Sequence, residues 1–146
     1  MERKQYSLGL DFGTESVRCL AVGIDSGEEK AMAIHEYSDG VITGKLPDTF
    51  VLLEADWALQ NPRDWLDSMR EVIAQILRDG AIDSLEVVSL GVSFTSSTVL
   101  PTTDDGTPLC FLSRWKSEPH AWPKLWKHHA AQPEASLINE LAQKEK

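Results

Sequence analysis

The chain is poor in several things, and each shortage excludes something. Of 146 residues only two are cysteine, Cys19 and Cys110. That is no disulfide framework and no C-x-x-C redox pair. Both read as small apolar fillers in a reducing compartment. No apolar run approaches the roughly eighteen residues of a membrane helix. The opening Met-Glu-Arg-Lys-Gln-Tyr lacks the apolar core and cleavage site of a signal peptide, so a cytoplasmic location is expected. Basic residues are few: 14 Lys and Arg against 23 Asp and Glu, a net charge of −9. A surface of that sign disfavours nucleic acid as a general partner. The phosphate-binding pattern GxxxxGK[ST] is missing, and no GxGxxG follows a strand. There is no internal repeat, low-complexity tract or linker.

What remains is the composition of one modest globular core, 42% hydrophobic and 25% charged. The charge is uneven. Residues 113–146 hold 6 basic and 4 acidic side chains and three of the four histidines, whereas residues 1–112 hold 8 and 19. Short apolar runs bounded by turn residues predict strands over residues 6–11, 17–25 and 30–37, joined closely enough for an antiparallel meander. Residues 38–47 read as loop. A helix comes next: Asn61 caps it, Pro62 and Asp64 suit its first turn, and Gly80 stops it. Trp65, Leu66, Met69, Val72, Ile73, Ile76 and Leu77 give it one apolar stripe. Residues 85–94 form a nearly continuous apolar strand, expected at a central, parallel position. Residues 98–101 and 108–112 flank Thr103-Asp104-Asp105-Gly106 as a hairpin. Residues 119–131 and 133–144 read as two helices, the first starting at Trp122 or Pro123.

The turn "DFGTES" between the first two strands is the candidate site. Gly13 can take positive φ and let backbone N–H groups approach an anion. Thr14 and Ser16 offer hydroxyls, Arg18 a cation, and Asp11 a carboxylate able to hold a water of a bound Mg²⁺. On the residues alone, a plain hairpin turn explains the pattern equally well.

The β-β-β-α-β order with "GLDFGTESVR" in its first hairpin resembles the first phosphate motif of the sugar-kinase, actin and heat-shock-chaperone superfamily, and within it the FGGY carbohydrate kinases. "GVSFTSSTVLPTTDDGTPLC" and "SEPHAWPKLWKHHAAQPEA" are similar to that family's ribulose-phosphorylating branch. The resemblance covers residues 6 to about 141. It implies an α/β, ribonuclease-H-like fold of which residues 1–146 form the N-terminal part of the first kinase domain, the ATP-side domain lying elsewhere. It implies ATP and Mg²⁺ as cofactors. Asp11, Gly13, Thr14, Ser16 and Arg18 would handle phosphates and Mg²⁺, the last through water on Asp11. It implies ribulose as substrate, contacted by Thr95, Ser96 and Ser97. Related xylulokinases carry Met-His where this chain has Ser96-Ser97, and glycerol kinases carry Arg-Glu. The general base would lie outside these residues, so the chain alone is expected to be inactive. Another pentulose or polyol kinase, and a non-catalytic remnant binding sugar or a partner, stay open.

Trp57 and Trp115 are further sugar-side candidates, because aromatic faces stack on sugars. His128 and His129 point about 100° apart if helical and do not suit one metal ion. Trp122, Leu125, Trp126 and His129 are expected on one helix face, with Lys124 and Lys127 flanking. If no further strand covers residues 85–94, the open sheet edge is expected to drive dimerisation or aggregation.

Overall fold

The structure, a computed structural model, describes residues 4–144. The chain divides into two compact units, one running through Gly40 and resuming over Asn61–Ser97, the other made of Val41–Gln60 and the residues from Thr98 onward.

The first unit is a four-stranded sheet backed by a helix. Its strands are β1 (Tyr6–Phe12), β2 (Ser16–Gly23), β3 (Glu29–Glu36) and β4 (Val87–Phe94), in the order β3-β2-β1-β4. β1 pairs antiparallel with β2 and parallel with β4, and β2 pairs antiparallel with β3. Alternation decides the faces. Tyr6, Leu8 and Leu10 of β1, Val17, Cys19 and Ala21 of β2, and Ala33 of β3 all turn inward and are buried. Against them lies α1 (Pro62–Asp79), with Val72 and Ile76 fully buried and Trp65, Met69, Ile73 and Leu77 packed at the margin. The expected meander, helix and parallel strand are all present.

The ends of α1 show why the chain folds there. The Asn61 side chain accepts from the Arg63 N–H at 3.0 Å, as an N-cap should. Gly80 stops the helix, but not through a left-handed conformation: its φ is −78°, and the left-handed residue is Ala81 at φ 47°. Gly80 is needed for space, since a Cβ there would lie 2.9 Å from both the Ile76 carbonyl oxygen and Ile82 Cδ1. In the first turn, Asp64 is 5% exposed. Its carboxylate accepts from the Asp39 and Gly40 N–H groups, each at 3.0 Å. Asn61 Nδ2 donates to Asp39 Oδ2 at 2.6 Å. The helix start thereby holds the chain leaving β3.

One strand departs from expectation in position. β4 lies at the sheet edge, and among the described residues it pairs with β1 only. Its apolar run suits a central place, yet α1 packs on β2 and β3 and leaves it uncovered. Leu90, Val92 and Phe94 pair with Leu8, Leu10 and Phe12, and they are 50%, 54% and 72% exposed.

The second unit is built from single bridges, not strands. Leu59 pairs with Ile42 and with Lys124, and Lys124 pairs with Val99. Ile42, Leu46, Leu59, Cys110 and Trp122 form its core. The helix expected over residues 119–131 is absent. A 3-10 turn, Pro119–Ala121, gives way to extended chain at Trp122 (φ −94°, ψ 151°). Pro123 puts Trp122 in extended chain, and the bridges of Lys124 with Leu59 and Val99 keep the residues after it from turning helical. The extended stretch is then held by Gln60 N–H to Pro123 O at 3.2 Å and Leu125 N–H to Ala58 O at 3.0 Å. Trp122 and Leu125 are buried, but Trp126 is 56% exposed, so the expected common face does not form. The expected hairpin reduces to one bridge, Thr102 with Pro108, and a 3-10 turn, Leu109–Phe111. Its turn is intact: Gly106 has φ 84°, and Asp105 accepts from the Thr103 hydroxyl and the Thr107 N–H. The last helix, α2 (Gln132–Lys144), is present as expected.

Removing the Asp64 carboxylate strands two backbone N–H groups, each costing roughly 1–3 kcal/mol when buried without a partner. D64A is expected to lower unfolding stability by about 2–4 kcal/mol. D64N keeps an acceptor oxygen and sheds the desolvation that pushes the Asp64 pKa up, so it should stay within about 1 kcal/mol of the parent. Urea unfolding of the three proteins is the check; equal losses for both variants would contradict it.

Candidate functional site

The site builds from the C-terminal ends of β1 and β4. Because those strands run parallel and in register, Phe12 and Phe94 lie side by side. The segments leaving the two strands therefore share one end of the sheet. After β1 comes the turn, closed by Gly13 N–H to Ser16 O at 2.8 Å. After β4 come Thr95, Ser96 and Ser97, with the Thr95 N–H bonded to Phe12 O at 3.1 Å. The five phosphate-turn candidates and the three hydroxyl candidates thus meet at one place.

Gly13 is not among the glycines with positive φ, which corrects the expectation. Its role is close approach: a Cβ would stand 3.1 Å from the Ser16 carbonyl oxygen and 3.5 Å from Arg18 Nη1. Asp11 and Arg18 are direct cross-strand partners, and Arg18 Nη1 donates to Asp11 Oδ2 at 3.4 Å. Both side chains are about half exposed, at 54% and 52%. Such a pair contributes at most about 1 kcal/mol, and the guanidinium keeps further N–H donors. On the sugar side, Ser96 and Ser97 are exposed, and Ser97 sits at φ 61°. A left-handed serine is strained backbone, the kind that collects at ligand sites.

A third element reaches the turn from β3. The Tyr37 N–H bonds Glu15 O at 2.9 Å. The Tyr37 ring is buried, and among the described residues its hydroxyl is the buried side-chain oxygen without a hydrogen-bond partner. Burial first, then the charges of Asp64 and Asp11, push its pKa up to about 12, so it stays a proton donor. Nothing in the sequence singled out Tyr37, which reads as an ordinary strand end.

The two tryptophans belong to the second unit. Trp57 is not a free stacking face. His120 and His128 meet its ring edge-on with centroids 5.0 and 4.8 Å away, and Lys124 Nζ lies 5.9 Å from its centroid. Trp115 is 39% exposed, with the Arg114 guanidinium 5.6 Å from its ring centre. Lys124 was expected on a solvated helix face; instead burial pushes its pKa down. Adjacent His128 and His129 do not share a role: His128 Nδ1 accepts from the Ala58 N–H at 3.2 Å, whereas the His129 N–H bonds Asp56 O.

For a metal, the turn offers two exposed carboxylates, Asp11 and Glu15, and the hydroxyls of Thr14 and Ser16. That set fits a Mg²⁺ that keeps its waters and arrives with phosphates, not a cage built by protein alone. Among the described residues no three His, Cys, Asp or Glu side chains gather for a metal, and no helix is long and apolar enough to cross a membrane.

Sheet order and crossover give an α/β fold that this chain shares with solved sugar kinases. A gluconate kinase from Lactobacillus acidophilus matches with TM-score 0.68 at 17% identity, over 97% of this chain and 23% of that one. A ligand-bound xylulose kinase from the same organism matches with TM-score 0.67 at 17% identity, over 96% and 23%. No family model matches the sequence. Curated relatives are far nearer. A ribulokinase from Halalkalibacterium halodurans is 41% identical over 140 residues, 96% of this chain and 25% of its own length. Another from Mycolicibacterium smegmatis is 48% identical over 139 residues, 94% and 25%. The chain is a relative of the ribulokinases and spans about a quarter of the length of those it matches.

The His128 contact carries a pH dependence. Desolvation, then the nearby Lys124, lower the His128 pKa from 6.5. A depressed pKa in the folded state means a contribution present above 6.5 and lost as pH falls through the folded value. Protonation also replaces the Nδ1 acceptor with a donor facing the Ala58 N–H. Unfolding stability should therefore drop as the pH falls below 6.5 in the parent, and H128N, which can still accept, should flatten that slope. Identical slopes would remove His128 as the cause.

Proposed function

We propose that this chain supplies the sugar side and one phosphate loop of an ATP-dependent ribulokinase, which makes ribulose 5-phosphate. The observation that carries the reading is the shared sheet end, where the Gly13 turn stands beside Thr95, Ser96 and Ser97 through the Thr95–Phe12 bond. The ribulokinase relatives support the choice of sugar. Phosphoryl transfer asks the protein mainly for position and for charge on the transferring oxygens. Arg18 and the turn N–H groups serve the phosphate oxygens, and the Thr14 and Ser16 hydroxyls add donors. Asp11 holds a Mg²⁺-bound water. The hydroxyls of Thr95, Ser96 and Ser97 donate to and accept from sugar hydroxyls. Trp57, with its ring already enclosed, shapes the second unit; Trp115 keeps the more open face for a sugar.

The family resemblance puts the general base outside these residues, so catalysis by the 146-residue chain alone is not expected. The second reading is a kinase for another pentulose or polyol, or a binding remnant without chemistry. The small residues at 96 and 97 leave room for more than one sugar. The open edge of β4, with Leu90, Val92 and Phe94 exposed beside it, is proposed as a self-association surface.

Calorimetric titration of the chain with Mg²⁺-tripolyphosphate isolates the phosphate turn. R18A should weaken binding by about tenfold to a hundredfold, the worth of one charge-assisted hydrogen bond. G13V, whose Cβ meets the Ser16 carbonyl, should weaken it at least as much. Unchanged affinity in R18A would overturn the phosphate role. Turnover of ribulose with ATP by this chain would overturn its inactivity.

A further inference from the structure

Helix α2 carries an uncovered apolar face. Gln132, Pro133 and Ser136 line an open groove with Asp56, Trp57 and His129. Leu137, Ile138 and Leu141 are 55%, 65% and 52% exposed, and α2 has no buried residue. At 100° per residue, Glu134, Leu137, Ile138, Leu141 and Lys144 recur at i, i+3, i+4, i+7 and i+10 and form one face. That face has an acid at its N-terminal end, a base at its C-terminal end and aliphatic side chains between.

We infer that this stripe is a docking surface for a second copy of the chain. The pattern is self-complementary when reversed. With two α2 helices antiparallel about a two-fold axis at Asn139, Glu134 meets Lys144 of the second copy and Leu137 meets its Leu141. Ile138 packs close to the axis. The interface is isologous and closes at the dimer. One anion and one cation on the face make it a poor match for a lipid surface, which selects a basic polar face. A pairing through one 13-residue helix falls below the area of a standard interface, so a dissociation constant on the order of 100 µM is expected. The α2 face belongs to the second unit, whereas the β4 edge and the phosphate turn belong to the first, and its pairing does not depend on the kinase reading.

Sedimentation of the 146-residue chain from about 10 µM to about 1 mM at low salt tests it. The average mass should rise with concentration. L137Q/L141Q, which keeps good helix formers, should abolish the part of the rise that α2 carries. E134K alone and K144E alone should each weaken it several-fold, and E134K/K144E should restore it, because the swap rebuilds the same pair. Far-UV circular dichroism must show equal helicity across the series. V92D, aimed at the β4 edge, should leave the α2 response intact. A mass independent of concentration overturns the proposal. So does failure of the double charge swap to restore association, or loss of all association in V92D with none in L137Q/L141Q.

Discussion

The parallel pairing of β1 with β4 is the constraint on which the site depends. An antiparallel neighbour would have sent the chain after β4 to the opposite end of the sheet. The parallel register instead sets Phe94 beside Phe12, and the next residue on one strand bonds the last carbonyl of the other. A parallel pair needs a crossover, which α1 provides. The helix therefore has two tasks, to bury the inner face of β1, β2 and β3 and to return the chain in the direction that brings Thr95 to the turn.

That crossover is anchored at both ends by polar groups and close packing. At its start Asp64 and Asn61 grip the chain leaving β3. At its end the close packing of Gly80 on Ile82 fixes the path into β4. Asp64 is held against its own preference, since burial raises its pKa and only the backbone N–H groups oppose that. A buried carboxylate kept for geometry is the sort of local cost found near sites, where position outweighs stability. The buried Tyr37 hydroxyl, kept protonated by burial and its acidic surroundings, adds a second such cost in the residue whose N–H bonds the turn at Glu15 O.

Legibility tracked the range of the interactions. The meander, α1 and the turn were readable because each rests on local signals: alternation, the Asn61 cap, small residues between apolar runs. Residues 119–131 misled because Pro123 also suits the first turn of a helix. The pairing of Lys124 with Leu59 and Val99, far apart in sequence, holds the chain extended instead. The edge position of β4 was legible only as a condition, an open edge if no further strand covers residues 85–94, because an apolar run marks a strand as suited to burial without saying what covers it. The Trp57 cluster was also out of reach: His120, Lys124 and His128 meet that ring only through the single-bridge pairing of residues far apart in sequence.

The weakness of the Asp11–Arg18 pair bears on function more than on the fold. At 3.4 Å and half exposed, it gains little over two hydrated charges, so loosening it costs the structure little. A polyphosphate carries several charges and presents oxygens that a guanidinium can bind in pairs. In the proposed phosphate role, Arg18 would turn from one carboxylate oxygen to phosphate oxygens at small cost, releasing Asp11 toward a hydrated cation travelling with that polyphosphate. A tighter, buried pair would resist that exchange through the penalty of leaving one charge alone. The hairpin that fixes the two residues directly opposite each other thus supplies position, while solvent keeps their mutual attraction low enough for a ligand to compete.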